Sequence, residues 1–466
     1  MRRGGSILAV ALLAPIVGAT TAIAARVDAG PDSLHKGDGP QLSILTYQAS
    51  PGEANRLTVR TRPAPGSGVI TVLRETGARL ESHYGCESQD AQTVTCRSDD
   101  DGTIFTGDGD DVVDGDAGLQ VLAGPGGDTI RGGNLWGDEG DDDLTLTASG
   151  QASGGPGVDD VRGSDGDDVV QGNAAGESGR IDGGPGYDVL DYYSARSAPL
   201  TYTLGAGGTD DAVTGVEGVT GTQLDDRLTG DAGGNTLIGA AGHDTLIGGG
   251  GPDQLVGGIA YPHGRGFRED AYGQDYDGNS IDGGPGDDVM VGGFEADDMT
   301  AGPGNDRVDS GGRENEDGGR DSIVAGPGDD RIITWGGRDR IGCGANVDRV
   351  SSPTLAGAGA LVASDCERFR LGRRVTIVGR PRRAGRALRV RVEKPPRGRQ
   401  VLLAYVGKRV VGRTGPLTRT GTYRVRLNPT GRRRLSRGRT VVLSNRAARP
   451  ALRRRALEGA LALRVR

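Results

Sequence analysis

The chain has 466 residues, of which 86 are Gly and 22 are Pro, while aromatic residues make up only 4%. So few large apolar side chains exclude a thick hydrophobic core, and a folded state must gain stability from something besides apolar burial. The formal net charge of −8 hides two opposite parts, because residues 371–466 hold 29 Lys and Arg against two Glu, whereas residues 1–370 hold 26 basic and 61 acidic residues.

Residues 1–25 have the pattern of a secretory signal peptide. Two arginines precede an apolar core that runs from Ile7 to Val17, and small residues follow it. We expect cleavage after Ala24 or Ala25, and therefore a secreted, extracellular protein. An uncleaved membrane anchor is the alternative, but the apolar core is shorter than the ~20 residues that span a bilayer. We expect no transmembrane segment in the rest of the chain.

Residues 26–104 alternate polar and apolar side chains in stretches such as LSILTYQAS and NRLTVRT. This predicts an N-terminal β-rich cap, which a stacked structure needs to cover its first apolar face. Cysteine spacing fits an exported protein, with two local disulfides as the simplest pairing. A site of four thiolates is disfavoured because neither pair has Cys-x-x-Cys spacing. The expected disulfides are Cys86 with Cys96 and Cys343 with Cys366.

A nine-residue unit repeats through residues 105–350. Each unit has a Gly-x-Gly-x turn, then an aspartate, and then an aliphatic or Met residue two positions further on. One inward side chain per nine residues favours a thin layer of three-residue strands stacked on one another. The aspartate position is occupied by Asp111, Asp128, Asp142, Asp159, Asp168, Asp188, Asp226, Asn235, Asp244, Asp253, Asp288, Asp297, Asp306, Asp321, Asp330, Asp339 and Asp348.

Stacked turns of this kind bring carboxylates close together. At a separation of ~5 Å and an effective dielectric constant near 20, one pair repels by about 3 kcal/mol, so a long stack requires a counter-charge. Calcium accepts about six to eight oxygen ligands in irregular geometry, whereas magnesium requires a tight octahedron and zinc prefers nitrogen or sulfur. The four histidines are too scattered for a transition-metal site. The sequence therefore predicts several calcium ions as cofactors.

The unit resembles the nonapeptide Gly-Gly-x-Gly-x-Asp-x-U-x of the calcium-binding RTX family, in which U is a large aliphatic residue. The block that matches this nonapeptide most completely is GDAGGNTLIGAAGHDTLIGGGGPDQLVGG, residues 230–258. The resemblance implies an all-β fold, a parallel β-roll in which two units make one turn of the coil. It also implies that the aspartates named above are metal ligands, and that each ion lies between a turn and the turn eighteen residues later.

Carried onto this chain, the eighteen-residue spacing gives five ligand pairs: Asp226 with Asp244, Asn235 with Asp253, Asp288 with Asp306, Asp321 with Asp339, and Asp330 with Asp348. Two further pairs, Asp111 with Asp128 and Asp142 with Asp159, are seventeen apart and depart from the family spacing.

Two inserts interrupt the repeat. Residues 191–221 resemble a β-rich excursion, for which we expect an architectural role. Residues 259–279 contain four aromatic residues that could form a contact surface, although a plain surface loop is favoured. An EF-hand loop is rejected there because its sixth position is Ser280 and its twelfth is Gly286.

We predict that residues 351–370 form a cap stapled by the second disulfide, and that residues 371–466 form a basic antiparallel domain resembling a β-sandwich. For an exported chain without a recognition motif, nucleic acid is not an expected partner. Anionic cell-wall polymers or glycans fit the charge better. The alternative is a solvated basic domain that docks on the acidic roll.

These features predict an extracellular calcium-binding protein that associates with a surface through its basic end. We expect no enzyme, because His-Glu-x-x-His, Gly-x-Ser-x-Gly and a stretch long enough for a catalytic domain are all absent from the sequence. Two alternatives stay open. One is an adhesin or matrix component rigidified by calcium, and the other is the export and folding module of a secreted hydrolase.

Overall fold

The computed structural model describes residues 25–31, 43–52, 54–65, 68–76, 79–82, 86–98, 102–116, 118–173, 177–206, 211–258, 278–311, 319–334, 339–352, 361–362, 366, 368–371, 375–384, 387–392, 400–406, 409–414, 421–430, 441–447 and 458–463. The predicted signal peptide up to residue 24 and residues 259–277 of the second insert lie outside the described residues. A search of the described part of the chain finds no helix with the length and apolar character needed to cross a membrane.

The described residues form 42 strands. The N-terminal strands are β1 (Ala25–Pro31), β2 (Ser43–Gln48), β3 (Arg56–Pro63), β4 (Val69–Glu75), β5 (Leu80–Ser82), β6 (Cys86–Ser88) and β7 (Thr93–Ser98). The first part of the repeat gives β8 (Thr103–Phe105), β9 (Val112–Asp114), β10 (Gln120–Leu122), β11 (Thr129–Gly132), β12 (Asn134–Trp136), β13 (Asp143–Leu146), β14 (Gln151–Ser153), β15 (Asp160–Arg162), β16 (Val169–Gln171), β17 (Arg180–Asp182) and β18 (Val189–Asp191).

The first insert contains β19 (Thr201–Thr203), β20 (Ala212–Thr214) and β21 (Gly218–Thr220). The second part of the repeat gives β22 (Arg227–Thr229), β23 (Thr236–Ile238), β24 (Thr245–Ile247), β25 (Gln254–Val256), β26 (Ser280–Asp282), β27 (Val289–Val291), β28 (Asp298–Thr300), β29 (Arg307–Asp309), β30 (Ser322–Val324), β31 (Arg331–Ile333), β32 (Arg340–Gly342) and β33 (Arg349–Ser352). The remaining strands are β34 (Leu361–Val362), β35 (Arg368–Leu371), β36 (Val375–Ala384), β37 (Ala387–Val392), β38 (Gln400–Val406), β39 (Arg409–Arg413), β40 (Gly421–Leu427), β41 (Val441–Ala447) and β42 (Glu458–Leu463).

The short strands pair in parallel and form three stacks. The long stack runs through β8, β10, β12, β14, β16, β18, β21, β23, β25, β27, β29, β31, β33 and β35. The first short stack runs through β3, β9, β11, β13, β15, β17 and β20. The second short stack runs through β19, β22, β24, β26, β28, β30, β32 and β34. Along the repeat the chain alternates between the long stack and a short one, which confirms the all-β parallel β-roll.

The first insert lies at the point where the first short stack ends and the second short stack begins. After β18 the chain makes β19, which begins the second short stack, and then β20, which ends the first. It returns to the long stack with β21, so the coil continues without a break on that side. The insert therefore supplies strands to all three stacks.

The core between the stacks is thin, because most strands contribute only their middle side chain to it, while Ile238, Val256 and Val291 form a separate small buried cluster. Leu237, Leu255, Met290 and Val308 lie in register along the long stack and are fully buried. Burial of one such side chain contributes roughly 1.5–3 kcal/mol. Each turn of the coil encloses about two of them, so apolar burial alone is a modest source of stability.

Both ends of the roll continue into antiparallel sheet. At the start, β2 lies on β8 and β3 lies on β9, and disulfide Cys86–Cys96 joins β6 to β7. At the other end, β35 pairs with β36, and the path continues through β37, β40, β39, β38 and β41 to β42. Because β42 pairs with β34, this sheet links the long stack to the second short stack. Disulfide Cys343–Cys366 is also present.

Candidate metal centre

Each turn of the roll reverses the chain between two short strands with the help of glycine. In IDGGPGDDVMVGG, residues 281–293, the turn joins β26 to β27, and Gly284 has a φ of +86°. That torsion is inexpensive only for glycine. A Cβ atom on Gly286 would lie 1.7 Å from the carbonyl oxygen of Gly251 in the stacked turn. Successive turns therefore approach so closely that their backbones touch.

Most short strands of the repeat follow an Asp or Asn that forms part of a hydrogen-bonded row, and we call this residue the row residue. Asp288 is buried, its Oδ1 accepts the Asp253 backbone N–H at 2.8 Å, and its own N–H donates to Asp306 Oδ1 at 2.9 Å. The same bond recurs from turn to turn along the three stacks. One oxygen of each carboxylate is therefore used to hold the stack together.

The second oxygen of most row carboxylates is buried and accepts no hydrogen bond. The aspartates whose Oδ2 is in this state include Asp111, Asp128, Asp142, Asp159, Asp188, Asp253, Asp288, Asp306, Asp330 and Asp339. A buried carboxylate oxygen without a partner is costly, so each of these atoms indicates a missing positive or hydrogen-bonding group.

Backbone carbonyl oxygens converge on the same places. A Cβ atom on Gly248 would lie 2.4 Å from Asp253 Oδ2 and 2.4 Å from the carbonyl oxygen of Gly283. On Gly283 it would lie 2.5 Å from Asp288 Oδ2 and 2.5 Å from the Ala301 carbonyl oxygen. The first glycine of the turn thus leaves room for two oxygens that belong to successive turns.

The electrostatics of the row agree with this geometry. Burial, and then the charge of neighbouring carboxylates, raises the pKa of Asp306 to about 7 from its usual value of 3.8. The pKa values of Asp128, Asp142 and Asp253 are raised to about 7 by the same causes. A cation between the turns would reverse this effect by favouring the charged form.

The donor set fits calcium. Within the described residues, no three Asp, Glu, His or Cys side chains lie close enough to hold a metal ion by themselves, so an ion here would need backbone oxygens as well. Carboxylate and carbonyl oxygens together are the ligands that calcium takes in proteins. The row residues and the carbonyl groups of the first glycines could supply them.

A comparison with protein families decides what kind of repeat this is. The model of the RTX calcium-binding nonapeptide repeat matches the chain in four copies, at residues 153–175, 220–255, 275–312 and 317–350. The chain carries RTX calcium-binding repeats. No curated protein matches the chain as a whole. Residues 103–152 lie outside the matches, yet their strands stack in the same way as those of the RTX repeats.

The structure places all seventeen predicted ligand positions at the same point of the repeat. Each is buried and immediately precedes a short strand. The five pairs spaced by eighteen residues are hydrogen-bonded neighbours in the rows. The two pairs spaced by seventeen are joined in the same way, at 2.8 and 3.0 Å. A spacing of seventeen residues therefore gives the same hydrogen bond between row residues as a spacing of eighteen.

Three row residues were missed by the sequence reasoning. Asp211 precedes β20 and accepts the Gly179 N–H at 3.3 Å, and Glu217 precedes β21 and accepts the Asp188 N–H at 3.0 Å. Asn279 precedes β26 and lies between Asp244 and Asp297 in its row. All three follow stretches of sequence in which the nine-residue spacing is interrupted. The signal that would have found them is the acidic or amide residue directly before an alternating three-residue strand.

A second, exposed row runs beside the first. The residue before a row residue uses its side-chain oxygen to accept an N–H from the stacked turn, as Asp287 does from Asn305 at 2.6 Å and Asp329 does from Val347 at 2.9 Å. The donor now belongs to the later turn, which is opposite to the buried row. Asp287 is therefore a structural acceptor that joins two successive turns on the exposed side of the stack.

Proposed function

We propose that this chain is an extracellular calcium-binding protein whose RTX roll folds around several calcium ions. The observation that carries the proposal is the row of buried carboxylates whose second oxygen has no hydrogen-bond partner and lies beside a carbonyl oxygen of the next turn. In this proposal residues 1–25 direct export, residues 26–104 cap the roll, residues 105–350 bind calcium, and residues 351–370 close the far end. The role is binding rather than catalysis.

The chain's own residues prepare each site in three ways. The glycines bring two turns within reach of one ion, the backbone N–H groups fix Oδ1, and the second oxygen is left available in a place that water does not reach. Calcium, when bound, supplies the positive charge that offsets the mutual repulsion of the carboxylates. Since the sites do not exist in the unfolded chain, the binding free energy adds to the free energy of folding.

Thermal unfolding with calcium and with a chelator tests this proposal. Each site adds about 2.7 kcal/mol when calcium is one hundred times its Kd, so several sites raise the melting temperature by more than about 10 °C. We expect circular dichroism to show a strong loss of β structure or a large fall in Tm in chelator. Magnesium at the same concentration serves as the control and should restore little. An unchanged spectrum and Tm in chelator would show that the roll does not depend on calcium.

We further propose that the basic residues 371–466 hold the protein at an anionic surface, with cell-wall polymers or acidic glycans as the ligand class. In the C-terminal sheet Arg413 lies opposite Arg426, and Arg424 lies opposite Arg389. Arg413, Arg424 and Arg426 are exposed, while Val425 and Leu427, which alternate with the last two, are buried. Like charges gathered on one exposed side of a sheet repel each other unless an anion lies nearby.

Charge reversal in the full chain tests the basic surface. Replacing Arg413, Arg424 and Arg426 by Glu should weaken binding to anionic wall polymer at least tenfold, and wild-type binding should fall steeply with added salt. Replacing three exposed arginines outside the C-terminal sheet, Arg56, Arg227 and Arg331, by Glu is the matched control. Equal loss of binding in both variants would contradict a specific role for the C-terminal sheet.

A further inference from the structure

The row carboxylates differ in what their second oxygen contacts, and the difference lies in the residue four positions earlier. In some turns that residue donates its backbone N–H to the row side chain. Ser164 donates to Asp168 Oδ2 at 2.6 Å, and its hydroxyl lies 3.0 Å from the same oxygen. Thr222 donates to Asp226 Oδ2 at 2.5 Å, again with its hydroxyl in contact. We call these closed turns.

Two more turns are closed without a hydroxyl contact. Gly293 donates its N–H to Asp297 Oδ2 at 2.7 Å, and Asp231 donates its N–H to Asn235 Oδ1 at 2.8 Å. The amide nitrogen of Asn235 also faces the Glu217 carbonyl oxygen and Asp231 Oδ1. An amide group therefore occupies the position between oxygens that a cation would take.

In nine other turns, which we call open, the corresponding residue has a positive φ and its N–H does not reach the carboxylate. The residue is Gly107 for Asp111, Gly124 for Asp128, Asp138 for Asp142, Gly155 for Asp159, Gly184 for Asp188, Gly249 for Asp253, Gly284 for Asp288, Gly302 for Asp306 and Gly326 for Asp330. Each of these nine aspartates has a buried Oδ2 without a hydrogen-bond partner. None of the four closing residues has a positive φ.

Electrostatics makes the two states exclusive. In a closed turn an N–H hydrogen points at Oδ2, so a cation on that oxygen would meet a positive dipole and would have to displace a short hydrogen bond. In an open turn the same oxygen accepts no hydrogen bond, so a cation can bind there without displacing a donor.

On this basis, and resting on the proposed calcium function, we infer that the open turns hold calcium and that the closed turns at Asp168, Asp226, Asn235 and Asp297 do not. Eight of the nine open turns fall into two unbroken runs, and the ninth, at Asp188, lies between the closed turn at Asp168 and Glu217. One is Asp111, Asp128, Asp142 and Asp159 in the first short stack, and the other is Asp253, Asp288, Asp306 and Asp330 in the long stack. The first run lies outside the matched RTX repeats except for Asp159, so residues 103–162 become an additional calcium-binding block.

Asparagine substitutions in the full chain separate the two kinds of turn. Asn keeps an Oδ1 acceptor but has no charge. Asp128→Asn and Asp288→Asn should each lower the number of bound calcium ions, measured by equilibrium dialysis and elemental analysis, by at least one, without lowering Tm in chelator. Asp226→Asn should leave the number of ions unchanged and lower Tm equally with calcium and with chelator.

Ser164→Ala provides a milder variant in case Asp226→Asn fails to fold. It removes only a hydroxyl from a closed turn, and we expect unchanged calcium stoichiometry with a small, calcium-independent fall in Tm. The inference is overturned if Asp226→Asn or Ser164→Ala loses ions as Asp288→Asn does, or if Asp128→Asn loses none. Failure of the wild-type protein to bind calcium would instead remove the proposed function itself, and with it this inference.

Discussion

The first glycine of a turn, such as Gly283, is required by space rather than by an unusual torsion. Its φ is not positive, but a Cβ atom would lie 2.5 Å from Asp288 Oδ2 and 2.5 Å from the Ala301 carbonyl oxygen. Asp288 is held in its row through Oδ1, and Ala301 is held by its N–H, which donates to Val324, so neither residue can move away without straining a hydrogen bond between turns. Because glycine has no side chain, this position leaves room for the two oxygens of the site.

Gly283→Ala should therefore destabilise the roll by about 1–3 kcal/mol and weaken calcium binding, because the turn must open to admit the methyl group. Gly250→Ala in the neighbouring turn is the matched control. Its φ is not positive and the nearest atom to its Cβ would be 3.7 Å away, so we expect stability equal to or slightly above that of the wild type. Urea unfolding in calcium measures both variants, and equal stability of the two would contradict the steric explanation.

At the scale of the strands, the sequence predicts the roll well wherever the turns have constant length. The aliphatic residue two positions after each aspartate is the buried middle residue of its strand, as at Leu246 and Ile332. The prediction fails where the turn length changes, because the nine-residue spacing no longer indicates which residues become neighbours in a row. Asp253 and Asp288 are direct neighbours in a row although 35 residues separate them, and their pairing depends on where the chain returns to the stack.

Side-chain contacts join the end of the first short stack to the start of the second, and the periodicity of the sequence does not predict them. Asp211, the last row residue of the first short stack, accepts a hydrogen bond from the Tyr192 hydroxyl at 2.8 Å and lies 3.9 Å from the Arg196 guanidinium. That guanidinium lies 4.9 Å from the centre of the Tyr192 ring, and the ring packs against Tyr202 at the start of the second short stack. Here a fixed cation of the chain faces the row carboxylate. The sequence indicated a β-rich insert but not this ion pair, because an alternating pattern does not show which side chains of the insert meet.

For the whole molecule, the free energy of unfolding should depend on pH in opposite ways with and without calcium. Burial raises the pKa of Asp128, Asp142, Asp253 and Asp306 to about 7, whereas the unfolded value is near 3.8. The folded chain therefore retains protons that the unfolded chain releases between pH 4 and 7. Without calcium, the stabilisation from these groups is fully present below about pH 4 and is lost as pH rises through 7.

Calcium binding requires the ionised carboxylates and so releases the same protons, which makes the ion bind more tightly as pH rises. We expect Tm in chelator to fall between pH 5 and pH 8, while the increase in Tm caused by calcium grows over the same range. Melting followed by circular dichroism at four pH values, with calcium or chelator, measures both trends. Asp288→Asn should show a smaller pH dependence than the wild type, because one of the groups that exchanges its proton for an ion has been removed. A Tm in chelator that rises from pH 5 to pH 8 would mean that the row carboxylates are ionised in the folded chain without calcium.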